Sequence, residues 1–181
     1  MTYFINLLTL SRIFLAAIIF LLLTRPEGHF LAFILFFVAG ATDYIDGYLA
    51  RKYALTSEIG EILDPIADKI LIVFVLFGLS VNLSSYFIAF MASLIITREI
   101  WVSALRDLNA RKGSSDSTKV TFLAKIKTSI QLFTISVYLL GLTLNNMLLI
   151  LFGDMFLFLS LLITFYTGYI YTINSFNKGQ T

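Results

Sequence analysis

The sequence predicts an all-α membrane protein with six transmembrane helices, bundled around a polar cavity that faces the cytosol. Three observations carry this reading. Of the 181 residues, 59% are hydrophobic and only 13% are charged, about half the roughly 25% charge of soluble domains. The mean hydropathy is +0.90. The apolar residues gather into six stretches, each near the roughly 20 residues that a spanning helix needs. The basic residues of the connections fall almost entirely in alternate ones. Residues 1–181 read as one domain, since the chain is too short for two membrane bundles.

The first stretch runs over residues 6–23 and the second over 30–49. The third covers 62–81, the fourth 86–105, the fifth 122–144 and the sixth 147–173. The first has no basic segment ahead of it, and Thr24-Arg25-Pro26-Glu27 makes a poor cleavage site, so it reads as a helix and not a secretion signal. Residues 24–29 form a short turn, and 82–85 and Asn145-Asn146 form two tight ones. Residues 50–61 and 106–121 are longer and polar.

Cytoplasmic loops carry the excess of Lys and Arg. Arg51, Lys52, Arg106, Arg111, Lys112, Lys119 and Lys178 lie in the second and fourth connections and the tail, against Arg25 alone on the opposite side. Both termini are therefore expected in the cytosol, in a multi-pass protein of the cell (inner, cytoplasmic) membrane. The net charge of +2 is too small to point to nucleic acid. With no cysteine, neither disulfides nor thiol chemistry are available.

A charged side chain inside a spanning helix costs roughly 2.5–3.5 kcal/mol on insertion scales. Asp43, Asp46, Asp64 and Asp68 nevertheless crowd the cytosolic ends of the second and third stretches. Asp43, Asp46, Gly47 and Ala50 are spaced i, i+3, i+4, i+7 and share a helix face, as do Asp64 and Asp68 at i, i+4. An antiparallel return brings the two faces together. Four carboxylates in one volume repel unless cations lie between them, and all-oxygen ligands suit Mg²⁺ or Mn²⁺. Gly47 leaves the helix backbone bare to a bulky group. Arg51 offers a fork suited to phosphate. Together these suit a nucleotide diphosphate. Solvated helix-end acids are the plainer alternative; that explanation fits Asp64 in its first turn better than it fits the whole constellation.

Residues 43–51 read D-Y-I-D-G-Y-L-A-R, followed after eight residues by Gly60, then Asp64 and Asp68. This resembles the full signature of the CDP-alcohol phosphatidyltransferase family, D-x2-D-G-x2-A-R-x8-G-x3-D-x3-D, with no position missing. The resemblance implies a six-helix fold that often forms homodimers. It implies two metal ions on Asp43, Asp46, Asp64 and Asp68, with Asp46, Gly47, Ala50 and Arg51 holding the CDP part of a CDP-lipid. It further implies Asp68 as general base, and Gly60 as the point where the loop closes over the nucleotide. The donor substrate would be CDP-diacylglycerol, its tails remaining among the membrane lipids.

A general base must reach the hydroxyl it deprotonates, so the acceptor alcohol belongs beside Asp68. Arg98 and Arg106 share a face of the fourth stretch, and Lys125 and Lys127 open the fifth. They read as a subsite for a phosphate on the acceptor. Membrane anchoring by snorkelling side chains explains Arg106 and Lys125 equally well, but explains the deeper Arg98 poorly. Residues 97–106 (T-R-E-I-W-V-S-A-L-R), 124–128 (A-K-I-K-T) and 6–12 (N-L-L-T-L-S-R) resemble the branch of the family that takes sn-glycerol 3-phosphate as acceptor. Inositol phosphate, serine or phosphatidylglycerol as acceptor remain alternatives. From another class, so does a divalent-cation transporter, although transporters place their sites near the midplane. His29 and Trp101 read as ordinary loop and interface residues, and Asp154 has no sequence-based account.

Overall fold

The computed structural model describes residues 2–53, 58–111 and 122–177, with side chains described for 7–45, 47, 52, 60, 63–111 and 126–176. Every regular element among the described residues is helical. The helices are α1 (Thr2–Leu23), α2 (His29–Tyr53), α3 (Glu58–Asn82), α4 (Tyr86–Arg111), α5 (Phe122–Thr143) and α6 (Met147–Asn177), with one 3-10 turn at Pro26–Gly28. Four of them contain spans long and apolar enough to cross a membrane, at Pro26–Ile45, Tyr86–Arg111, Ile126–Thr143 and Met147–Phe176. α1 contributes the shorter apolar run Leu7–Leu23. α3 is 25 residues long, but Asp64, Asp68 and Lys69 interrupt its apolar character.

Helix ends differ from the expected boundaries. α2 runs on through Tyr53 and α4 through Arg111, where the change to polar residues predicted connections. Loss of hydrophobicity ends a membrane span without ending a helix. Leu, Ala, Arg and Lys at 49–52 are all good helix formers.

Two tight turns are built alike. Ser84 and Asn145 adopt left-handed φ of 47° and 49°. After α3, Ser84 N donates to Val81 O at 3.2 Å and Ser85 N to Ser80 O at 3.0 Å. After α5, Asn145 N donates to Leu142 O at 3.3 Å and Asn146 N to Gly141 O at 2.9 Å. Both are Schellman caps, which satisfy carbonyls that the helix end leaves open. The next residue caps the following helix: Ile88 N donates to Ser85 Oγ at 3.2 Å, and Leu148 N to Asn146 Oδ1 at 3.0 Å. Each reversal thus needs only three residues between helices.

α1 packs on α2 and α3, α4 on α3 and α6, and α5 on α2 and α6. The polarity is inverted relative to a water-soluble domain. Phe14, Phe30, Phe90, Leu148 and Leu162 are exposed, whereas Arg12, Arg98, Asn109, Lys127 and Gln131 are buried. Helices that are apolar on their outward faces match a lipid surround. Glycine permits the tightest approaches. A Cβ on Gly153 of α6 would lie 2.7 Å from the Tyr138 ring of α5, whose hydroxyl donates to Asp154 Oδ1 at 2.6 Å. Asp154 therefore has a structural partner across α5–α6. His29 likewise meets Asn82 at 2.9 Å, and Asn82 Nδ2 donates to Leu23 O at 2.8 Å, tying α3 to the end of α1.

Candidate active site

The acid cluster is organised by a residue of α1. Arg12 is only 1% exposed, and its Nη1 donates to Asp43 Oδ1 of α2 and to Asp68 Oδ1 of α3. One turn before Arg12, Thr9 Oγ1 donates to Asp64 Oδ1 at 2.7 Å. Three helices thus meet at three carboxylates and one guanidinium. An isolated guanidinium in an apolar bundle would be costly, and two carboxylates converging on it offset that cost. The same cation relieves the repulsion between Asp43 and Asp68.

The carboxylates are not consumed by this contact. The side chains of Asp43 and Asp68 remain 48% and 52% exposed. Arg12 takes one oxygen of each, and carboxylates accept at several lone pairs. The described donors are hard oxygens from two facing helices, already arranged to attract a shared positive charge. Carboxylate oxygens are the ligand type of hard divalent cations, but among the described residues no three acids are grouped closely enough to hold one. Pro65 lies inside α3 between Asp64 and Asp68, and having no N–H it frees the carbonyl one turn back, at residue 61.

Asp68 also lies on a cavity of about 430 Å³ between α3, α4 and α5, with Tyr171 of α6 at its edge. Four cations line it, Lys69, Arg98, Arg106 and Lys127, against the carboxylates Asp68 and Glu99. Glu99 ties the group together. It accepts from Arg98 Nη1 at 3.0 Å and from Lys127 Nζ. Arg98 Nη2 reaches Thr167 Oγ1 of α6 at 2.6 Å, and its shaft runs against Gly168, where a Cβ would lie 3.0 Å from Nε. Arg106 stands over the Tyr171 ring, 5.6 Å from its centroid. Lys69 donates to Ser103 Oγ. Most of these cations are fixed in place by neighbours, which preorganises positive charge around the cavity. The α3–α4 side is apolar, with Ile66, Ile70, Phe74 and Ile100 on its wall.

The residues expected from the sequence distribute as follows. Asp43, Asp64 and Asp68 come together around Arg12 and Thr9. Asp68, Arg98, Arg106 and Lys127 surround one cavity. Gly47 is part of α2, and Gly60 is a buried residue in the first turn of α3. The side chains of Asp46, Ala50, Arg51 and Lys125 lie outside the described residues, as does Lys119. Arg12, Thr9, Thr167 and Gly168 were not expected at the site, whereas Glu99, beside Arg98, was expected to pair with a basic group and does so. Arg12 had a signal in the sequence, being a lone arginine in the middle of an apolar helix. The Thr167–Gly168 pair had none, because its role exists only once α6 lies on α4.

Residues 3–166 match the CDP-alcohol phosphatidyltransferase family. Among curated proteins, the chain is 39% identical over 171 residues to the CDP-diacylglycerol–glycerol-3-phosphate 3-phosphatidyltransferase of Rickettsia bellii, covering 92% of this chain and 91% of that one. It is 35% identical over 133 residues to the Escherichia coli K12 protein of the same name, covering 72% and 73%. To the Haemophilus influenzae one it is 35% identical over 130 residues, covering 71% and 70%. With the match spanning nearly all six helices and the acid cluster, the chain belongs to the CDP-alcohol phosphatidyltransferase family.

Proposed function

We propose that the protein transfers the phosphatidyl group of CDP-diacylglycerol to sn-glycerol 3-phosphate, forming phosphatidylglycerophosphate and CMP in phospholipid biosynthesis. The observation that carries this is the shared cavity. A half-exposed carboxylate, Asp68, faces a preorganised set of cations across a space of about 430 Å³, large enough for a small phosphorylated alcohol. The names of the relatives point to the same donor and acceptor.

In this reading Arg98, Arg106 and Lys127 hold the acceptor phosphate, together with Lys125. Asp68 accepts the proton of the acceptor's primary hydroxyl, whose oxygen attacks the phosphatidyl phosphorus as the bond to CMP breaks. Asp46, Gly47, Ala50, Arg51 and Gly60 seat the CDP portion. Two divalent cations, Mg²⁺ or Mn²⁺, held by Asp43, Asp46, Asp64 and Asp68, would neutralise the diphosphate and its developing charge. Arg12 keeps Asp43 and Asp68 at one spacing throughout. The apolar wall between α3 and α4 lets the lipid tails stay in the bilayer.

The proposal extends to placement. Six crossings, both termini and the cavity on the cytosolic side of the inner membrane, and a homodimer follow from the charge bias and the family resemblance. The test of the reaction is purified protein with CDP-diacylglycerol and a panel of acceptors, scored for CMP and lipid product. Glycerol 3-phosphate should be the productive acceptor, and chelation should stop turnover until Mg²⁺ or Mn²⁺ is restored. Product from serine or inositol phosphate alone would reassign the acceptor. Metal flux into vesicles without CMP release would reassign the class.

A further inference from the structure

Gln131 lines the same cavity as Asp68, Arg98, Arg106 and Lys127, yet none of the roles above uses it. It is 4% exposed, and its amide Nε2 is buried without a hydrogen-bond partner. A buried amide donor left unsatisfied is destabilising, so its retention on a cavity wall calls for a reason. Lys127 and Gln131 are spaced i, i+4 and share a face of α5. Lys127 is held at the level of Glu99. Gln131 lies one turn farther along α5, about 6 Å at 1.5 Å per residue, away from the end where the charged groups gather. Ile95 of α4 lies on the same cavity.

We propose that Gln131 recognises the secondary hydroxyl of the acceptor, which makes it a specificity-determining residue for a glycerol phosphate. This rests on the reading of the cavity as the acceptor site. A three-carbon acceptor presents three polar groups. The phosphate suits the arginines and Lys127, and the attacking primary hydroxyl suits Asp68, which leaves the central hydroxyl. A hydroxyl both donates and accepts, and the amide does the same, whereas the cations around it only donate. The ligand's hydroxyl would supply the partner that the protein does not give Nε2. A site built to bond a hydroxyl rejects an analogue lacking it, because its own polar group is then left unpaired.

The test compares sn-glycerol 3-phosphate with 3-hydroxypropyl phosphate, which keeps the primary hydroxyl and the phosphate and lacks only the central hydroxyl. The wild type should prefer glycerol 3-phosphate by about tenfold or more in kcat/KM. Gln131→Met, similar in shape but without the amide, should reduce that preference to near unity, with the KM for CDP-diacylglycerol unchanged. Gln131→Glu, which stays polar but no longer donates, should also lose preference, and serves if the methionine variant fails to fold. Equal losses on both acceptors would assign Gln131 to structure and overturn the proposal, as would an unchanged preference. Failure of the wild type to use glycerol 3-phosphate would overturn the acceptor reading as well, so the two failures are distinguishable.

Discussion

Asp68 sits at the junction of two environments. One side is tied to Arg12, which also bonds Asp43, and the other opens on the cation-lined cavity. A group so placed can accept a proton while its orientation is held from behind. Asp68→Asn keeps the volume and removes the acceptor, so turnover should fall by about 10²–10⁴-fold while the variant still purifies as folded protein. Turnover near the wild-type rate would remove Asp68 from the chemistry. The two arginines should separate in the same assay. Arg98 is buried and bonded to Glu99 and Thr167, whereas Arg106 is exposed and rests on a ring. Arg98→Gln should cost about tenfold or more in kcat/KM for the acceptor, more than Arg106→Gln, while Lys52→Gln on the exposed end of α2 should leave it unchanged.

At the scale of elements, the structure relies on close helix approach. Gly153 has no room for a Cβ against the Tyr138 ring, while a Cβ on Gly40 would meet nothing within 4 Å. Gly153→Ala should therefore lower thermal stability in detergent, by about 1–3 kcal/mol. Gly40→Ala, on an open face of α2, should hold or raise it, since alanine is the better helix former. Equal shifts would mean that α5 and α6 do not pack as described. The all-helical character and the order of the apolar stretches were legible in the sequence, because each stretch ends at Pro, Gly, Asn or a polar cluster, although only four of the described helices hold spans long and apolar enough to cross a membrane. The continuation of α2 and α4 past the apolar stretch was not, since hydropathy reports lipid contact and not hydrogen bonding. The meeting of Asp43 with Asp64 and Asp68 could be reasoned from i, i+4 spacing and an antiparallel return. The Arg12 that joins Asp43 to Asp68 could not, because it depends on how α1 is rotated against α2 and α3. Likewise, Glu99 was recognisable as a partner for a base, but the choice of both Arg98 and Lys127 required the packing of α5.

At the scale of the molecule, the two Schellman turns lie at the opposite end of the bundle from the charged groups. If the charge bias sets orientation, a cysteine replacing Tyr86, which is 92% exposed, should react with an impermeant thiol reagent only from outside. One replacing Ala110, at the charged end of α4, should react only from the cytosol. The protein has no cysteine of its own, so labelling reports the introduced site alone. The reverse pattern would place the cavity on the wrong side for a soluble cytosolic acceptor and for CMP release.

The Arg12 contacts also constrain how the chain is made. Its partners lie 31 and 56 residues downstream, so α1 is made before the helices that carry the two carboxylates. A helix with a buried guanidinium at its centre is poorly suited to diffuse alone among lipid tails. The guanidinium of α1 is compensated only once α2 and α3 pack against it, so the acid cluster also binds the first three helices into one unit.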